Sequence, residues 1–341
     1  MHSNLDAATG FAAAPPMGIG QPTPHWHQLP LRIGTRGSPL ALVQTRNFLS
    51  LLARFCPVMR GMDAFHEQTI STTGDRVTDR RLADIGGKGL FAKEIHEALL
   101  DGRIDFAVHS LKDLETALPE GIALACMLPR EDARDVLILS DACNPPCADD
   151  PYACLPHGAV IGTSSVRRQA QLLHARPDLR ITLLRGNVQS RLAMVAGEQC
   201  SASLLAYAGL RRLGLAHEAS LVLEPETMLP AAGQGVVGIT VRADDTELLE
   251  LLSAIEDKPA RAVATAERAL LASLDGSCHT PIAAHAVLLD DGGINLTGLV
   301  ARPDGTFLLR RSLRGAVADA ARLGAELGAS LRADSPCDVL R

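Results

Sequence analysis

The chain has 341 residues, room for two or three domains, and at 47% hydrophobic and 21% charged it has the composition of a soluble globular protein. Its formal net charge of −6 gives bulk electrostatics no pull toward nucleic acid, and no stretch reaches the roughly eighteen apolar residues of a membrane span. Met1–Pro30 lacks the basic residues and apolar run of a secretory signal, so the eight cysteines read as reduced thiols of the cytoplasm.

Residues 1–29 are rich in Ala, Pro and Gly without periodicity, which predicts a disordered leader; His25-Trp-His27 is too isolated there to be read as a metal site. Leu31-Arg-Ile-Gly-Thr-Arg-Gly-Ser-Pro-Leu-Ala-Leu predicts strand, glycine turn and helix, with Ser38 as N-cap, Pro39 at the first helical position and an end near Phe55. A second strand is expected over Phe65–Thr72, ending in Thr73-Gly-Asp-Arg76. Ile85-Gly-Gly-Lys-Gly-Leu-Phe-Ala-Lys-Glu then gives a glycine loop bearing Lys88 and a helix from about Leu90 to Leu100. The spacing of a nucleotide phosphate loop is absent.

Ile104–Val108 is an apolar strand that breaks into His109, Ser110, Lys112 and Asp113. Ligands in open α/β sheets lie beyond the carboxyl ends of strands. Asp113 beside Lys112 suits an acid or base, and equally a helix N-cap in a surface ion pair. A strand near Ile122–Leu128 follows.

Pro129-Arg-Glu-Asp reads as a crossing, after which the pattern restarts with a strand over Asp135–Ser140. The Cys/Pro loop Asp141–His157 holds Cys143, Cys147 and Cys154 at a spacing that fits no common zinc site. Ala159-Val-Ile-Gly-Thr-Ser-Ser-Val-Arg-Arg-Gln then echoes Arg32-Ile-Gly-Thr-Arg-Gly-Ser, a short sign of two similar α/β units. Both turns offer Ser/Thr hydroxyls and free backbone N–H groups to an anion. A strand over Arg180–Leu184 leads into Arg185-Gly-Asn-Val-Gln-Ser-Arg191 and a helix to about Ala196. After Leu204–Leu213 and a short strand, Leu221–Leu223, comes a second crossing, Met228-Leu-Pro-Ala-Ala-Gly-Gln-Gly, and a strand over Val236–Val241. Two crossings predict a discontinuous first unit and a ligand cleft between two lobes.

From about Lys258 the texture changes. A helix over Arg261–Leu274 ends at Asp275-Gly276 and is followed by Ser277-Cys-His-Thr-Pro281. Val287–Leu289, Ile294–Ala301 and Phe307–Arg314 read as antiparallel strands turning at Pro303-Asp-Gly, and a helix over Val317–Leu331 closes the chain. The expected fold is α/β: two similar doubly wound lobes around a cleft plus a small α+β C-terminal domain with an antiparallel sheet. Domain 1 takes 30–128 and 234–253, domain 2 takes 134–229 and domain 3 takes 258–341.

Two constellations carry chemistry. Arg36, Arg167, Arg168, Arg185 and Arg191 recur at strand-to-helix junctions, with Lys88 and Lys93 on and just after the glycine loop. Singly, an exposed arginine is usually a solvated charge; together these point to a polyanion, carboxylate as readily as phosphate. Cys278 lies in a loop directly after a helix rather than on an apolar face, which makes it a candidate for covalent chemistry, although most free thiols are inert.

At these residues the chain resembles the porphobilinogen deaminase (hydroxymethylbilane synthase) family. The matching motifs are Thr35-Arg-Gly-Ser-Pro-Leu-Ala-Leu, Gly86-Gly-Lys-Gly-Leu-Phe, Val108-His-Ser-Leu-Lys-Asp, Gly162-Thr-Ser-Ser-Val-Arg-Arg-Gln, Leu184-Arg-Gly-Asn-Val, Leu229-Pro-Ala-Ala-Gly-Gln-Gly and Gly276-Ser-Cys-His-Thr-Pro, in the family's order. The resemblance implies periplasmic-binding-protein-like lobes and a monomeric cytoplasmic enzyme of tetrapyrrole biosynthesis. It would join four porphobilinogen molecules head to tail with loss of four ammonia and release hydroxymethylbilane by hydrolysis. A covalent dipyrromethane cofactor would hang from Cys278 by a thioether, with Asp113 as the catalytic carboxylate. Lys112, Asp113, Thr163, Ser164, Ser165, Arg167, Arg168, Arg185 and Gly186 match cofactor-binding positions; Arg36, Ser38, Lys88, Ser110 and Arg191 match substrate-binding ones. No metal, nucleic acid or membrane is implied. Glu115, Thr73 and His279 depart from residues common in the family, without removing any of these. The competing readings are a two-lobed solute-binding or regulatory protein, which would not need Cys278, and a phosphate-ester enzyme, which lacks its loop.

Overall fold

In the computed structural model, residues 27, 29–60, 63–77, 89–147, 149–276 and 280–340 are described. The glycine loop with Lys88, the cysteine Cys278 and most of the leader lie outside them. Strand β1 (Leu31–Thr35) passes through Arg36-Gly37 into helix α1 (Pro39–Phe55), where the Ser38 hydroxyl accepts from the Ala41 N–H at 3.3 Å. Strand β2 (Phe65–Thr69) stops short of Thr72, because the Asp75 carboxylate accepts from the Thr72 N–H and hydroxyl and starts a one-turn helix, α2 (Thr73–Arg76). Helix α3 (Lys93–Leu100) starts later than expected, since Leu90–Ala92 form a turn. Strand β3 (Phe106–Ser110) runs into a 3-10 turn, Leu111–Asp113, and strand β4 (Ile122–Met127) follows.

The chain then crosses to a second lobe. There it forms β5 (Asp135–Leu139), β6 (Val160–Gly162), α4 (Val166–Ala175), β7 (Arg180–Thr182), α5 (Val188–Ala196), β8 (Ala202–Ala206), α6 (Tyr207–Arg212) and β9 (Leu221–Leu223). It returns to the first lobe as β10 (Val237–Arg242) and α7 (Thr246–Ser253). The two five-stranded sheets have matching orders, β2-β1-β3-β10-β4 and β7-β6-β8-β5-β9. In each, four strands run in one direction, and the strand that follows a crossing, β10 or β5, runs antiparallel to both its neighbours.

Both faces of each sheet are covered, which is why inner strands such as β3, β5, β8 and β10 are largely apolar, whereas the edge strands β2 and β7 keep polar residues. On β3, Phe106 and Val108 meet Phe48 and Leu52 of α1 and Leu248 and Leu252 of α7, while Ala107 faces Ile95 and Leu99 of α3. Each such large side chain contributes about 1.5–3 kcal/mol on burial. The Phe48 and Phe106 rings meet edge to face at 5.6 Å. In the second lobe, Leu172 of α4 covers one face and Val195 and Leu210 of α5 and α6 the other.

The third domain packs helices α8 (Lys258–Ser273) and α9 (Ala320–Asp334) on an antiparallel sheet of β11 (Ile282–Leu288), β12 (Gly293–Ala301) and β13 (Leu308–Ala316). Helix α8 starts at Lys258 rather than Arg261 because Asp257 caps it, accepting from the Ala260 N–H at 2.7 Å. Strand β11 begins at Ile282, not Val287: its alanines carry little strand propensity, and pairing with β12 makes the strand. Residues 317–319 form a 3-10 turn, so the last helix starts at Ala320. The helices cross so closely that a Cβ on Gly324 would lie 2.2 Å from the Ala266 carbonyl oxygen. Glu267 of α8, fully buried, ties this domain to both crossings. Its carboxylate pairs with Arg130 at 2.6 Å and accepts from the Gly233 and Ala286 N–H groups at 2.7 Å.

Candidate active site

A cavity of about 610 Å³ opens between the lobes. Arg36, Ser38, Asp75, Phe91, Lys112 and Asp113 line it from the first lobe, and Arg168, Arg185, Gly186, Asn187 and Arg191 from the second. Five cationic side chains thus face two carboxylates, an imbalance that an anionic ligand would relieve.

Asp113 reaches the cavity because β3 ends in the 3-10 turn, held by the Leu111 N–H on the Val236 carbonyl at 2.9 Å. Its Oδ2 lies 3.5 Å from Arg36 Nη1. Arg36 spends its other edge on Asp75, donating from Nη2 at 2.5 Å and Nε at 3.2 Å, and its guanidinium stacks 4.2 Å from the Phe91 ring centre. Enclosure works against the charges of both Arg36 and Asp75. Their mutual pairing outweighs it, so the guanidinium is held above its ordinary pKa and the Asp75 carboxyl below its own.

Lys112 remains accessible to solvent and donates from Nζ to Gln234 Oε1 at 3.2 Å. Enclosure by the cleft walls and the charges of Arg168 and Arg167 pull its pKa down to about 8, against the opposing effect of Asp113 and Asp135. Arg191, on α5, donates from Nε to the Gly186 carbonyl at 3.0 Å. Its pKa falls to about 10 for the same reasons, enclosure first and then Arg168 and Arg185, with Asp113 opposing. Arg185 bridges the lobes, donating from Nη2 to the Gly74 carbonyl at 2.8 Å. Gly186 beside it has φ +106, and a Cβ there would lie 2.4 Å from Ser190 Oγ.

The arginine pair is arranged differently from a pair of free forks. Arg167 and Arg168, in the first turn of α4, are buried around Asp135 at the start of β5. Arg168 donates to Asp135 Oδ1 from Nη2 at 2.7 Å and to the Leu204 carbonyl at 2.8 Å, yet still lines the cavity. Arg167 pairs with Asp135 Oδ2 at 2.7 Å and donates to the Leu229 carbonyl at 2.6 Å, away from the cavity lining. The two guanidiniums hold the Asp135 carboxyl far below the usual range despite its burial. Asp135 reads in the sequence only as a strand's first residue; its position just after a crossing was the available signal.

The hydroxyls divide likewise. Ser38 lines the cavity, whereas Thr163, Ser164 and Ser165 lie outside its lining: Thr163 Oγ1 accepts from the Ser165 N–H, and Ser165 caps α4. Ser110 is paired with Gln44 at 3.1 Å. His109 points into the core, with Nε2 2.9 Å from Thr240 Oγ1, and burial pushes its pKa down to about 3. Asp75, Phe91 and Gln234 join the site without having been singled out; Asp75 and Gln234 had marked themselves only by falling in a polar strand end and a glycine crossing. Among the described residues no cluster of His, Cys, Asp and Glu suits a metal ion.

Comparison with known proteins adds an independent line. The family model for the dipyrromethane cofactor-binding domain of porphobilinogen deaminase matches residues 31–250, and that for its C-terminal domain matches 262–333. The porphobilinogen deaminase of Paracoccus denitrificans is 47% identical over 313 residues, covering 91% of this chain and 96% of that protein. The Nitrobacter winogradskyi protein of the same name is 49% identical over 300 residues, 88% and 92% of the two chains. The chloroplastic one of Oryza sativa is 46% identical over 285 residues, 84% and 78%. Among solved structures, a periplasmic binding protein of Salmonella typhimurium aligns over 68% of this chain and 93% of its own, at TM-score 0.36 and 14% identity. Matched by both domain models and over nearly the whole length of its bacterial relatives, the chain belongs to the porphobilinogen deaminase family, the hydroxymethylbilane synthases of tetrapyrrole biosynthesis.

Proposed function

We propose that the interlobe cavity is where this chain condenses four porphobilinogen molecules head to tail, with Asp113 as its catalytic residue. The observation that carries this reading is a carboxylate, Asp113, set among five cations at the junction of two lobes. Each porphobilinogen bears an acetate and a propionate, so a lengthening chain of rings is a polycarboxylate. Arg36, Lys112, Arg168, Arg185 and Arg191 are a donor set that fits it, and fits the carboxylates of a dipyrromethane as well. When bound, the dipyrromethane supplies the pyrrole carbon to which the next ring is joined and an anchor for the product.

The chain's own residues do the rest. Asp113 faces the substrate's aminomethyl nitrogen as it leaves as ammonia, and stabilises the positive charge then developing on the pyrrole; a fixed carboxylate near developing positive charge is the counterpart of an oxyanion hole. Arg36, steadied by Asp75 and Phe91, presents Nη1 toward Asp113 and a substrate carboxylate. Cys278, by its position in the sequence after α8, is the thioether attachment point, and Lys88 is a further substrate-binding cation. Residues 30–128 and 234–253 act as the catalytic lobe, 134–229 bind carboxylates, 258–341 carry the anchor, and the protein works as a cytoplasmic monomer. No helix among the described residues is long and apolar enough to cross a membrane.

Intact-mass measurement on the purified protein tests the reading: two pyrrole units should add to the chain and be lost in Cys278→Ala. Asp113→Asn should retain the adduct and lose nearly all turnover. An active protein of unmodified mass, or full activity in Asp113→Asn, would overturn it.

A further inference from the structure

The catalytic lip of the first lobe and the arginine pair of the second are joined by one neutral side chain. Gln234 is buried in the second crossing, between Gly233 and Gly235, whose φ values are +73 and +90. A Cβ on Gly235 would lie 2.2 Å from the Glu131 carbonyl oxygen, so the two crossings are pressed against each other here. The Gln234 amide nitrogen donates to the Ala133 carbonyl at 2.7 Å and to Asp135 Oδ1 at 2.8 Å. Both partners are acceptors only, which forces the amide oxygen to the opposite side, where it accepts from Lys112 Nζ at 3.2 Å.

We propose that Gln234 is a positioning residue for Lys112: a neutral spacer that holds the ammonium on the cleft floor beside Asp113 and keeps it from pairing with Asp135. The proposal rests on the role given to Lys112 above. Its logic is electrostatic. Lys112 has Asp113, Asp135, Arg168 and Arg167 as its charged neighbours, and Asp135 is the carboxylate buried beyond the amide. A direct Lys112–Asp135 pair would take the ammonium out of the cleft and neutralise it. An amide whose orientation is locked by two acceptors offers one hydrogen bond and no charge, so the lysine keeps its charge for a substrate carboxylate. The same side chain makes the lysine's position depend on the arginine-bound Asp135 of the other lobe.

A double-mutant cycle tests this, with KM for porphobilinogen and the alkaline limb of kcat/KM as readouts. Lys112→Met alone should raise KM at least fivefold; an unchanged KM would remove Lys112 from its binding role and leave Gln234 with nothing to position. Given that rise, Gln234→Met should raise KM threefold or more and move the alkaline limb, expected near pH 8, downward, because the charged lysine has lost an acceptor. In the Lys112→Met background the same change should leave KM unaltered. Equal losses in both backgrounds, or an unmoved limb, would make Gln234 a packing residue of the crossing and overturn the proposal. Should Gln234→Met fail to fold, Gln234→Leu, which also fills the space without offering an acceptor, runs the same cycle with the same criteria.

Discussion

Asp135→Asn removes the one charge that reconciles two buried arginines, and its cost can be worked from the contacts. In the parent, Oδ2 pairs with Arg167 and Oδ1 with Arg168 and Gln234, all within 2.8 Å, and the carboxylate is fully buried. The asparagine oxygen can keep the Oδ1 partners, but its amide then presents hydrogens to the Arg167 guanidinium. Arg167 is left charged and buried with the Leu229 carbonyl as its remaining partner. Breaking a buried pair from one side costs about 3–5 kcal/mol, a large share of the roughly 5–15 kcal/mol that holds a domain folded. Urea unfolding followed by circular dichroism should show it as a midpoint lower by about 1–5 M, for slopes of about 1–3 kcal/mol/M. The double variant Asp135→Asn/Arg167→Met should recover part of the loss, since the stranded charge is gone. A single variant within about 1 kcal/mol of the parent, or strictly additive losses in the double, would refute the triad as a charge-balanced unit.

Glu267→Gln should destabilise by a similar amount, about 3–5 kcal/mol. Whichever oxygen becomes the amide nitrogen meets Arg130 and a backbone N–H donor, of Gly233 or of Ala286. A chemical-unfolding shift below about 1 kcal/mol would mean that Arg130's bonds to the Gln234 and Ala286 carbonyls suffice. Acid stability offers another test. His109 has its pKa pushed to about 3 by burial, so between there and the ordinary histidine value the unfolded chain binds one more proton than the folded. Its contribution is therefore present above about pH 6.5 and lost as pH falls toward 3, at up to roughly 1.4 kcal/mol per pH unit. His96 and His285, also depressed mainly by burial, act with the same sign. Replacing His109 with Gln, which can still bond Thr240, should reduce the slope of unfolding free energy against pH by close to one proton; an unchanged slope would show that His109 does not bury neutral.

Much of the site was legible because local chemistry writes it. An apolar strand that ends in Lys112-Asp113, a serine cap followed by Pro39, and glycines where the chain turns are short-range signals that need no partner to be read. The same holds for the two crossings, marked by Pro129 and by the run Leu229-Pro-Ala-Ala-Gly-Gln-Gly, and for the junction arginines as a group. What the tertiary structure decided is which charge meets which. Arg167 and Arg168 are adjacent in sequence and in one helical turn, yet one turns inward while the other reaches the cavity, because Asp135 arrives from 33 residues away with a carboxylate for both. Gln234 reads as one polar residue between glycines until packing sets Lys112 on one side of it and Asp135 on the other, 122 and 99 residues distant. The start of β11 was hidden for a related reason: alanines adopt the strand because β12 is there to pair with them. Caps, turns and apolar periods depend on neighbours a few residues away, whereas the partner of a buried charge is chosen by where whole strands and crossings come to rest.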